Sequence, residues 1–489
     1  MPADPSVQHR SAIVWFRDDL RVADHPALTA AVDSGRPVVC VYCFDQVSAD
    51  VRRLGAASLW WLHHALAALD QDLAALGARL VLRRGPAGDA IRALVREVDA
   101  GAVYWNRRYD AAGIAIDSAL KTELKAGGCE VKSFHANVLY EPQAIRTQTG
   151  GPFRVFTPFW RAARASGVPR RPLPAPVAIA GFDGAVASDA LEDWRLLPTA
   201  PDWAGGLRAT WTPGAAGAQS QLARFIADGL PNYADERDRP DLPATSRLSP
   251  HMRFGEISPF EVWHAVAPLA LTGDIGHAHV EKFLAEVGWR EFAHHLLHHF
   301  PALATENFQP AFDAFPWRAD EAFVAAWRKG LTGYPIIDAG MRELWATGWM
   351  HNRVRMIVAS FLVKHGLQDW RAGEAWFWDT LVDACPANNA ASWQWVAGSG
   401  ADAAPYFRIF NPVLQAAKFD PEGAYVRRWV PELADLPAKW LHEPWKAPRS
   451  VLAAAGVTLG ATYPTPIIDL DAGRERALAA FATLKAHAA

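Results

Sequence analysis

The sequence predicts a doubly wound α/β domain with a parallel five-stranded sheet, joined by a long linker to an all-helical domain. Over residues 12–135, short β-branched or aromatic runs alternate with amphipathic helical stretches. This alternation is typical of a parallel sheet that is covered by helices on both faces. Proline, glycine and alanine dominate residues 169–217 and repeatedly break helical periodicity. From Gln219 onward, leucine, alanine and aromatic residues recur at helical spacing.

The first domain is predicted to occupy residues 10–135. Its strands are the five runs rich in β-branched and aromatic residues: Ala12–Phe16, Pro37–Phe44, Arg79–Arg83, Ala102–Trp105 and Cys129–Phe134. The two longest helical patterns between them are Ala56–Leu76 and Asp110–Lys125. Neither G-x-G-x-x-G nor G-x-x-x-x-G-K-[ST] occurs in this domain, so a phosphate-cradling loop is not supported there.

Residues 136–215 are predicted to form the linker, and residues 216–485 a single helical domain. Four arginines of the linker are expected to form a solvated surface rather than a binding site: Arg161, Arg164, Arg170 and Arg171. No long polar tail follows residue 485. The N-terminus has no apolar signal region, and no apolar run reaches 18 residues, so we expect no association with a membrane.

The composition narrows the range of functions. A net charge of −3 creates no global field that attracts nucleic acid, so affinity for DNA must come from a local basic surface. The 22 tryptophans invite a photochemical or stacking role, although core packing can absorb most of them. Four scattered cysteines have neither metal-ligand nor disulfide spacing, which is consistent with the reducing cytoplasm.

The segment from Trp376 to Pro412 places polar residues in apolar surroundings. Asp383 and the adjacent amides of Asn388 and Asn389 interrupt aromatic and small residues, and the pattern fits neither an amphipathic helix nor an alternating strand. Buried polar groups need hydrogen-bonding partners, so either the core or a polar ligand must satisfy them. The residues alone leave aromatic core packing and ligand binding equally open.

This segment resembles the flavin-binding segment of the DNA photolyase/cryptochrome family. The matching positions, in family order, are Asp383, Asn389, Trp393-Gln394-Trp395 and Asp402–Pro412. The resemblance extends over nearly the whole chain. Residues 14–24 are similar to the family's first strand and turn, although His25 and Pro26 depart from it, and Phe153–Trp160 is similar to an anchoring segment. The resemblance implies FAD as cofactor, an antenna domain before a helical FAD-binding domain, and repair of DNA that contains pyrimidine dimers.

The resemblance also implies which residues hold FAD. Thr245–Ser249 is similar to the family's flavin-phosphate segment, in which amides and an arginine converge on an anion, although such a run alone is more commonly a helix N-cap. Arg355 is similar to the partner of Asp383, where a guanidinium stabilises an anionic reduced flavin. The full set is Tyr233, Thr245, Ser246, Arg247, Leu248, Ser249, Arg290, Asn352, Arg355, Asp383, Cys385 and Asn389.

Asn389 and Cys385 distinguish this chain within the family. Asn389 is implied to face flavin N5, where plant cryptochromes carry aspartate, so the amide favours repair over signalling. Cys385 and Pro386 stand where the family usually has aspartate and leucine. One hydrogen bond to the flavin or its sugar is therefore not carried over from the family.

A second set of residues is implied to contact damaged DNA. On a helix, Glu286 shares a face with Trp289 and Arg290. A core tryptophan beside a surface ion pair would look the same, but the resemblance implies that Glu286 hydrogen-bonds the damaged base and that Trp289 stacks on it. Phe283 stands where close relatives often have tryptophan. The full set is Arg237, Glu286, Trp289, Asn352, Arg353, Met356, Trp395 and Gln415.

Asn352 and Met356 bear on the lesion, because members that act on (6-4) lesions carry histidine at both positions. Members that act on cyclobutane dimers carry asparagine and methionine, as this chain does. The implied catalytic set is Glu286, Asn389 and an electron-transfer chain of Trp393, Trp370 and Trp317, each of which alone could be a core residue. We expect a cyclobutane pyrimidine dimer photolyase; the alternatives are a cryptochrome photoreceptor and a (6-4) photolyase.

Two further features are less determined. The antenna chromophore could be a deazaflavin or a methenyltetrahydrofolate, or be absent, because Ala112 and Gly113 stand where one folate-type group carries Asn and Glu. We expect the protein to be a monomer. Four histidines form i, i+4 pairs without a third metal ligand and are expected on a helix surface: His294, His295, His298 and His299.

Overall fold

The computed structural model describes residues 10–403 and 407–488. Within them the chain forms two compact units. The first unit runs to residue 204 and also includes residues 211–227 and 246–301. The second unit comprises residues 205–210, 228–245 and the chain from residue 302 onward. These units group the chain differently from the three segments predicted above.

A parallel five-stranded sheet lies in the first unit. Its strands are β1 Ala12–Phe16, β2 Val38–Phe44, β3 Leu80–Arg84, β4 Ala102–Asn106 and β5 Glu130–Phe134. The helices between successive strands are α1 Pro26–Asp33, α2 Ala56–Ala75, α3 Ala87–Glu97 and α4 Ala111–Ala126. The strand order is β3-β2-β1-β4-β5, and every pairing is parallel. The predicted fold class is confirmed, because each predicted strand or long helix ends within one residue of the observed bounds.

The central strand β1 is buried along its whole length, as its unbroken apolar sequence requires when helices cover both faces of a sheet. A buried polar network follows it, in which Arg17 pairs with Asp117 at 2.6 Å and His25 lies 3.1 Å from Asp19. His25 also caps α1, since its Nδ1 accepts a hydrogen bond from the backbone N–H of Leu28 at 3.0 Å. The departure at position 25 therefore has a structural role.

The remaining α-helices of the described chain begin at residue 156. They are α5 Phe156–Ala165, α6 Gly205–Thr210, α7 Ala215–Arg224, α8 Tyr233–Glu236, α9 Ser249–Phe254, α10 Pro259–Val266, α11 Leu269–Thr272, α12 His277–His299, α13 Glu321–Arg328, α14 Pro335–Thr347, α15 Asn352–Ser360, α16 Trp370–Thr380, α17 Pro386–Ala397, α18 Pro412–Phe419, α19 Ala424–Trp429, α20 Ala438–Leu441, α21 Arg449–Ala454 and α22 Leu470–Ala488. A π-helical turn, Phe361–His365, directly follows α15. Among the described residues, no helix is both long and apolar enough to span a bilayer.

The predicted linker is more ordered than its composition indicated. Residues 179–189, here called the edge segment, run beside the sheet: the N–H of Phe182 donates to the carbonyl of Val38 in β2 at 3.0 Å, and the N–H of Asp189 donates to the carbonyl of Leu82 in β3 at 2.9 Å. The Ser188 hydroxyl accepts from the N–H of Leu82 at 2.9 Å. Gly181 permits this approach, because an added Cβ would lie 2.4 Å from the carbonyl oxygen of Gly77. The edge segment thereby covers the outer strand β3.

The expectation of a solvated surface holds for three of the four linker arginines, because Arg161, Arg164 and Arg171 are exposed. It is wrong for Arg170, which is partly buried and pairs with the fully buried carboxylate of Asp24 at 2.5 Å.

The expectation that all four histidines of α12 lie on the helix surface is wrong for His295. His295 is fully buried, and its Nε2 accepts from the N–H of Phe153 at 3.0 Å. A histidine with two backbone partners can enter a core, which helical spacing alone does not reveal.

Candidate functional site

The Asn389 side chain is held in one orientation by the preceding helix. Its Nδ2 donates to Oε1 of Glu374 at 2.7 Å and to the backbone carbonyl of Glu374 at 3.0 Å. Both residues are buried, Asn389 on α17 and Glu374 on α16. A carboxylate and a carbonyl accept hydrogen bonds only, so the amide nitrogen must point toward Glu374. The carbonyl oxygen of Asn389 is consequently left as the acceptor for another group.

Arg355 and Asp383 form a bidentate ion pair, as the resemblance implied. The two guanidinium nitrogens donate to the two carboxylate oxygens at 2.8 and 3.2 Å. Nε of Arg355 donates to the carbonyl of Met350 at 2.7 Å, which fixes the guanidinium in place. The Asp383 side chain is 4% exposed and the Arg355 side chain 24% exposed. The pair therefore combines a neutralised buried acid with an accessible cation.

Cys385 occupies the N-cap position of α17 without a side-chain capping hydrogen bond. Its sulfur accepts a weak hydrogen bond from Nδ2 of Asn388 at 3.3 Å. The thiol is thus engaged by the first turn of its own helix. It cannot reproduce the acceptor capacity of the carboxylate that the family usually has there.

Two further segments that are implied to hold FAD lie at the starts of short helices. Tyr233 is buried at the start of α8, and the guanidinium carbon of Arg237 lies 5.5 Å from its ring centroid. In the Thr245–Ser249 run, Arg247 has a positive φ of 50° and its guanidinium carbon lies 4.8 Å from the ring centroid of Trp211. Leu248 is the N-cap residue of α9 and makes no side-chain capping hydrogen bond. The commonest alternative for this run, a serine or threonine N-cap, is therefore not what forms.

Helix α12 presents the acid, the aromatic and the cation that its spacing predicted. Trp289 stacks on Phe156, with ring centroids 3.9 Å apart and planes 9° apart, so one face of the indole is covered. Glu286 lies 3.8 Å from Lys282 and its side chain is 27% exposed. Arg290 is engaged within the same unit, because it donates to Glu291 at 3.0 Å and to the carbonyl of residue 137 at 2.8 Å. Its contact with a flavin stays a prediction.

The residues of the second unit that are implied to contact DNA differ in their exposure and in their contacts within the protein. On α15, Asn352 is exposed and Met356 is partly exposed. Arg353 pairs with Asp238 at 2.7 Å and lies over the ring of Phe419. In the same unit, Nε1 of Trp395 donates to the carbonyl of Asp402 at 3.0 Å.

Gln415, on α18, has a buried Oε1 with no hydrogen-bond partner in the described part of the chain. Such an atom is an acceptor available to a ligand. The Asp402–Pro412 run, implied to belong to the flavin-binding segment, is only partly covered, because residues 404–406 lie outside the described residues.

The three tryptophans of the implied electron-transfer chain belong to one apolar region of the second unit. Trp370 is fully buried and Trp393 is 2% exposed, and both are in the core. Trp317 is partly buried and packs against that core. Gly373, one turn after Trp370, allows contact with Trp393, since an added Cβ would lie 2.2 Å from the indole. Exposure therefore rises from Trp370 and Trp393 to Trp317.

Glu374 is the one site residue that sequence reasoning missed. It belongs to no short motif, and because α16 carries a second acid, Asp379, the residue types alone do not single Glu374 out. Among the described residues, no group of three or more histidine, cysteine or acidic side chains could hold a metal ion. The geometry thus offers an oriented hydrogen-bond acceptor, a paired cation and three tryptophans in one apolar region.

Comparison with known proteins gives consistent matches. The family described as "FAD binding domain of DNA photolyase" matches residues 283–483, and the family described as "DNA photolyase" matches residues 12–177. A deoxyribodipyrimidine photo-lyase from Agrobacterium fabrum is 53% identical over 98% of this chain and 99% of that protein. Cryptochrome-1 from Arabidopsis thaliana is 40% identical over 95% of this chain and 69% of that protein. The crystal structure of a bacterial class III photolyase from Agrobacterium tumefaciens matches with a TM-score of 0.95 and 53% identity, and the match covers 99% of this chain and 100% of that chain.

Proposed function

Because this chain belongs to the DNA photolyase/cryptochrome family, we propose that it splits cyclobutane pyrimidine dimers in DNA by using light and bound FAD. The chain is a DNA photolyase, an enzyme that repairs DNA and carries FAD. The observation that carries this conclusion is the near full-length match, at 53% identity, to a deoxyribodipyrimidine photo-lyase. When bound and reduced, FAD would supply the light-driven electron transfer that splits the dimer.

We propose that the residues implied by the family hold FAD, including Tyr233, the Thr245–Ser249 run, Arg355 and Asn389. The paired guanidinium of Arg355 fits a group that becomes anionic on reduction, because opposite charges in a shielded site stabilise each other. The carbonyl of Asn389 fits a protonated flavin N5, since it is held as an acceptor. The pairing with Asp383 prevents the cation from being left without a counter-charge before FAD binds.

On the DNA side, we propose that Glu286 accepts hydrogen bonds from the damaged bases and that Trp289 stacks on them. The partly exposed carboxylate of Glu286 and the partly exposed indole of Trp289, which Phe156 holds by stacking on one face, support these roles. Photolyases are among the enzymes that take their target out of the base stack, so such a face replaces the lost stacking partners. Trp317, Trp370 and Trp393 are proposed to relay electrons to FAD during its photoreduction.

Two residues of α15 indicate which class of lesion the protein repairs. Asn352 and Met356 are exposed or partly exposed there, as residues that meet a substrate must be. Histidines, which the resemblance associates with (6-4) repair, are absent from both positions. A cryptochrome photoreceptor is the second candidate, because a plant cryptochrome is 40% identical over most of this chain. Asn389 favours repair over this alternative.

We propose that the protein has domains at residues 10–135 and 216–485, joined by a linker at residues 136–215. We also propose that it is a monomer. We also propose a second antenna chromophore, either a deazaflavin or a methenyltetrahydrofolate. The four cysteines are buried and form no disulfide among the described residues, which supports a reducing compartment, the cytoplasm. An absorption spectrum of the freshly purified protein identifies the chromophores, since each class absorbs at its own wavelengths.

A lesion assay tests the function. Purified protein is incubated with oligonucleotides that carry one cyclobutane dimer or one (6-4) lesion, in blue light and in the dark. We expect light-dependent restoration of the cyclobutane substrate alone. Repair of the (6-4) substrate instead would assign the other lesion class. Absence of repair by reduced, FAD-loaded protein would favour the photoreceptor.

A further inference from the structure

We propose that Glu374 is a positioning residue for the flavin chemistry, because it determines which end of the Asn389 amide faces the ring. This inference rests on the proposed function, in which Asn389 lies next to flavin N5. Glu374 itself is not assigned any contact with FAD or DNA. It acts through Asn389, and its removal is expected to alter the flavin's redox balance rather than its binding.

The geometry gives Glu374 control of the amide. An asparagine side chain can rotate by 180° and exchange its oxygen and nitrogen at little steric cost, so only hydrogen bonds distinguish the two orientations. Two acceptors of Glu374 contact Nδ2 of Asn389, the carboxylate at 2.7 Å and the backbone carbonyl at 3.0 Å. If the Asn389 amide were reversed, its oxygen would face both acceptors of Glu374, and neither hydrogen bond could form. The carboxylate contact is the shorter, and it is the one that a substitution can remove.

Glu374 is itself fixed by packing. Glu374 is 4% exposed, and the neighbouring Gly373 lies against the indole of Trp393 on α17. Asn389 and Trp393 are one turn apart on that helix, so α16 sets the position of α17 at both residues. A carboxylate in such surroundings needs donors, and Asn389 supplies one of them.

The chemistry depends on this orientation because N5 changes its hydrogen-bonding character. Oxidised flavin has an acceptor at N5, and reduced flavin has a donor N–H there. A carbonyl that faces N5 therefore favours the reduced form, whereas an NH₂ group that faces N5 favours the oxidised form. Loss of the carboxylate acceptor weakens the preference for the first orientation and is expected to stabilise the oxidised flavin.

A matched pair of neutral variants separates this effect from the loss of a charge. Glu374→Gln removes the charge and keeps an acceptor for Nδ2, whereas Glu374→Met removes both at similar length. Flavin midpoint potentials are measured for both by redox titration. We expect the potential of Glu374→Met to be lower than that of Glu374→Gln. A tenfold difference in the two-electron equilibrium corresponds to about 30 mV.

The same pair in an Asn389→Ala background provides the control. There the difference between Gln and Met at position 374 should disappear, because the amide that it acts on is gone. Retained FAD and an unchanged thermal midpoint verify that each variant is folded. If Glu374→Met does not retain FAD, Glu374→Leu takes its place.

Two outcomes separate this inference from the proposed function. Equal potentials for the Gln and Met variants, or a difference that persists in Asn389→Ala, would overturn the role of Glu374. No change in potential in Asn389→Ala alone would instead overturn the placement of Asn389 at N5, on which the proposed function relies.

Discussion

Trp289 is a residue whose two faces have different roles. One face is stacked on Phe156 at 3.9 Å, so the indole is held rigidly and only the other face can receive a base. We predict that Trp289→Ala and Glu286→Ala weaken binding to dimer-containing DNA more than binding to undamaged DNA. The stacking contribution should be roughly 1–3 kcal/mol. Titration of both DNAs at one salt concentration measures the difference.

Lys282 supplies the control for Glu286. Lys282→Ala removes the ion-pair partner at 3.8 Å without removing the carboxylate. It should affect both DNAs alike, because a lysine near DNA acts on phosphates and not on the lesion. Equal losses on both DNAs in Glu286→Ala and Trp289→Ala would contradict their role in lesion recognition.

Lys364 predicts a pH dependence of stability. It lies in the π-helical turn after α15, is 1% exposed, and donates to the carbonyl of Arg408 at 3.0 Å. Burial lowers the pKa of Lys364 to about 7 from an ordinary value of 10.5. Between these values the unfolded chain binds a proton that the folded chain does not, so the free energy of unfolding rises with pH.

The test compares the native protein with Lys364→Met in denaturant titrations. From about pH 7 to about pH 8.5, the native protein should gain roughly 1–2 kcal/mol relative to the variant. Higher pH is avoided because burial raises the pKa of the Cys40 and Cys43 thiols to about 12, which destabilises the fold once unfolded thiols ionise. Parallel pH profiles for the two proteins would show that Lys364 is charged in the folded state at pH 7.

At the scale of elements, α17 carries Trp393 against α16. With oxidised flavin and an external reductant, we predict that Trp393→Phe greatly slows light-driven flavin reduction, because phenylalanine cannot be oxidised in the place of indole. Trp370→Phe and Trp317→Phe should also impair it. Repair by chemically reduced enzyme should survive. Trp440→Phe, at a partly buried residue that packs against the same core, is the control and should photoreduce normally.

The contact between the two helices is itself testable through Gly373. An added Cβ would lie 2.2 Å from the indole of Trp393, so Gly373→Ala forces the helices to move. Overpacking of this kind costs about 1–3 kcal/mol, which urea unfolding measures. Gly205→Ala, whose nearest neighbouring atom would be 3.9 Å away, should change stability far less. Equal effects of the two substitutions would mean that α16 and α17 adjust freely.

At the scale of the whole molecule, charge predicts how the protein finds DNA. Its net charge of −3 provides no overall attraction, so affinity must come from local contacts with phosphates. We predict that binding to undamaged DNA weakens steeply as salt rises. The ratio of affinities for damaged and undamaged DNA should change little, because lesion contacts do not release counterions. Titrations at several salt concentrations measure both, and a ratio that collapses with salt would place the discrimination in the phosphate contacts.

Most of the fold could be predicted from the sequence. Strands such as β1 are continuous apolar runs between turn residues, and this pattern locates their ends within one residue. The edge segment could not be predicted, because backbone hydrogen bonds hold it and these leave little trace in side-chain types. Its pairing with β2 and β3 depends on strands far earlier in the chain.

The candidate site was predicted unevenly for a similar reason. Asp383 and Arg355 belong to motifs that the family resemblance covers, and the structure pairs them. Glu374 has no motif, and its contact with Asn389 exists only because α16 packs beside α17. Arg290 could be located on its helix face, but its engagement by Glu291 and a distant carbonyl depends on tertiary packing.

The edge segment has a consequence for how the protein is made. A ribosome delivers β3 about 100 residues before residues 188 and 189, which cover it. During that interval the nascent sheet has a free outer strand, the kind of surface that pairs with other chains. A fragment that stops at residue 135 would keep that strand uncovered permanently. Production of the α/β domain alone should therefore extend at least through residue 189.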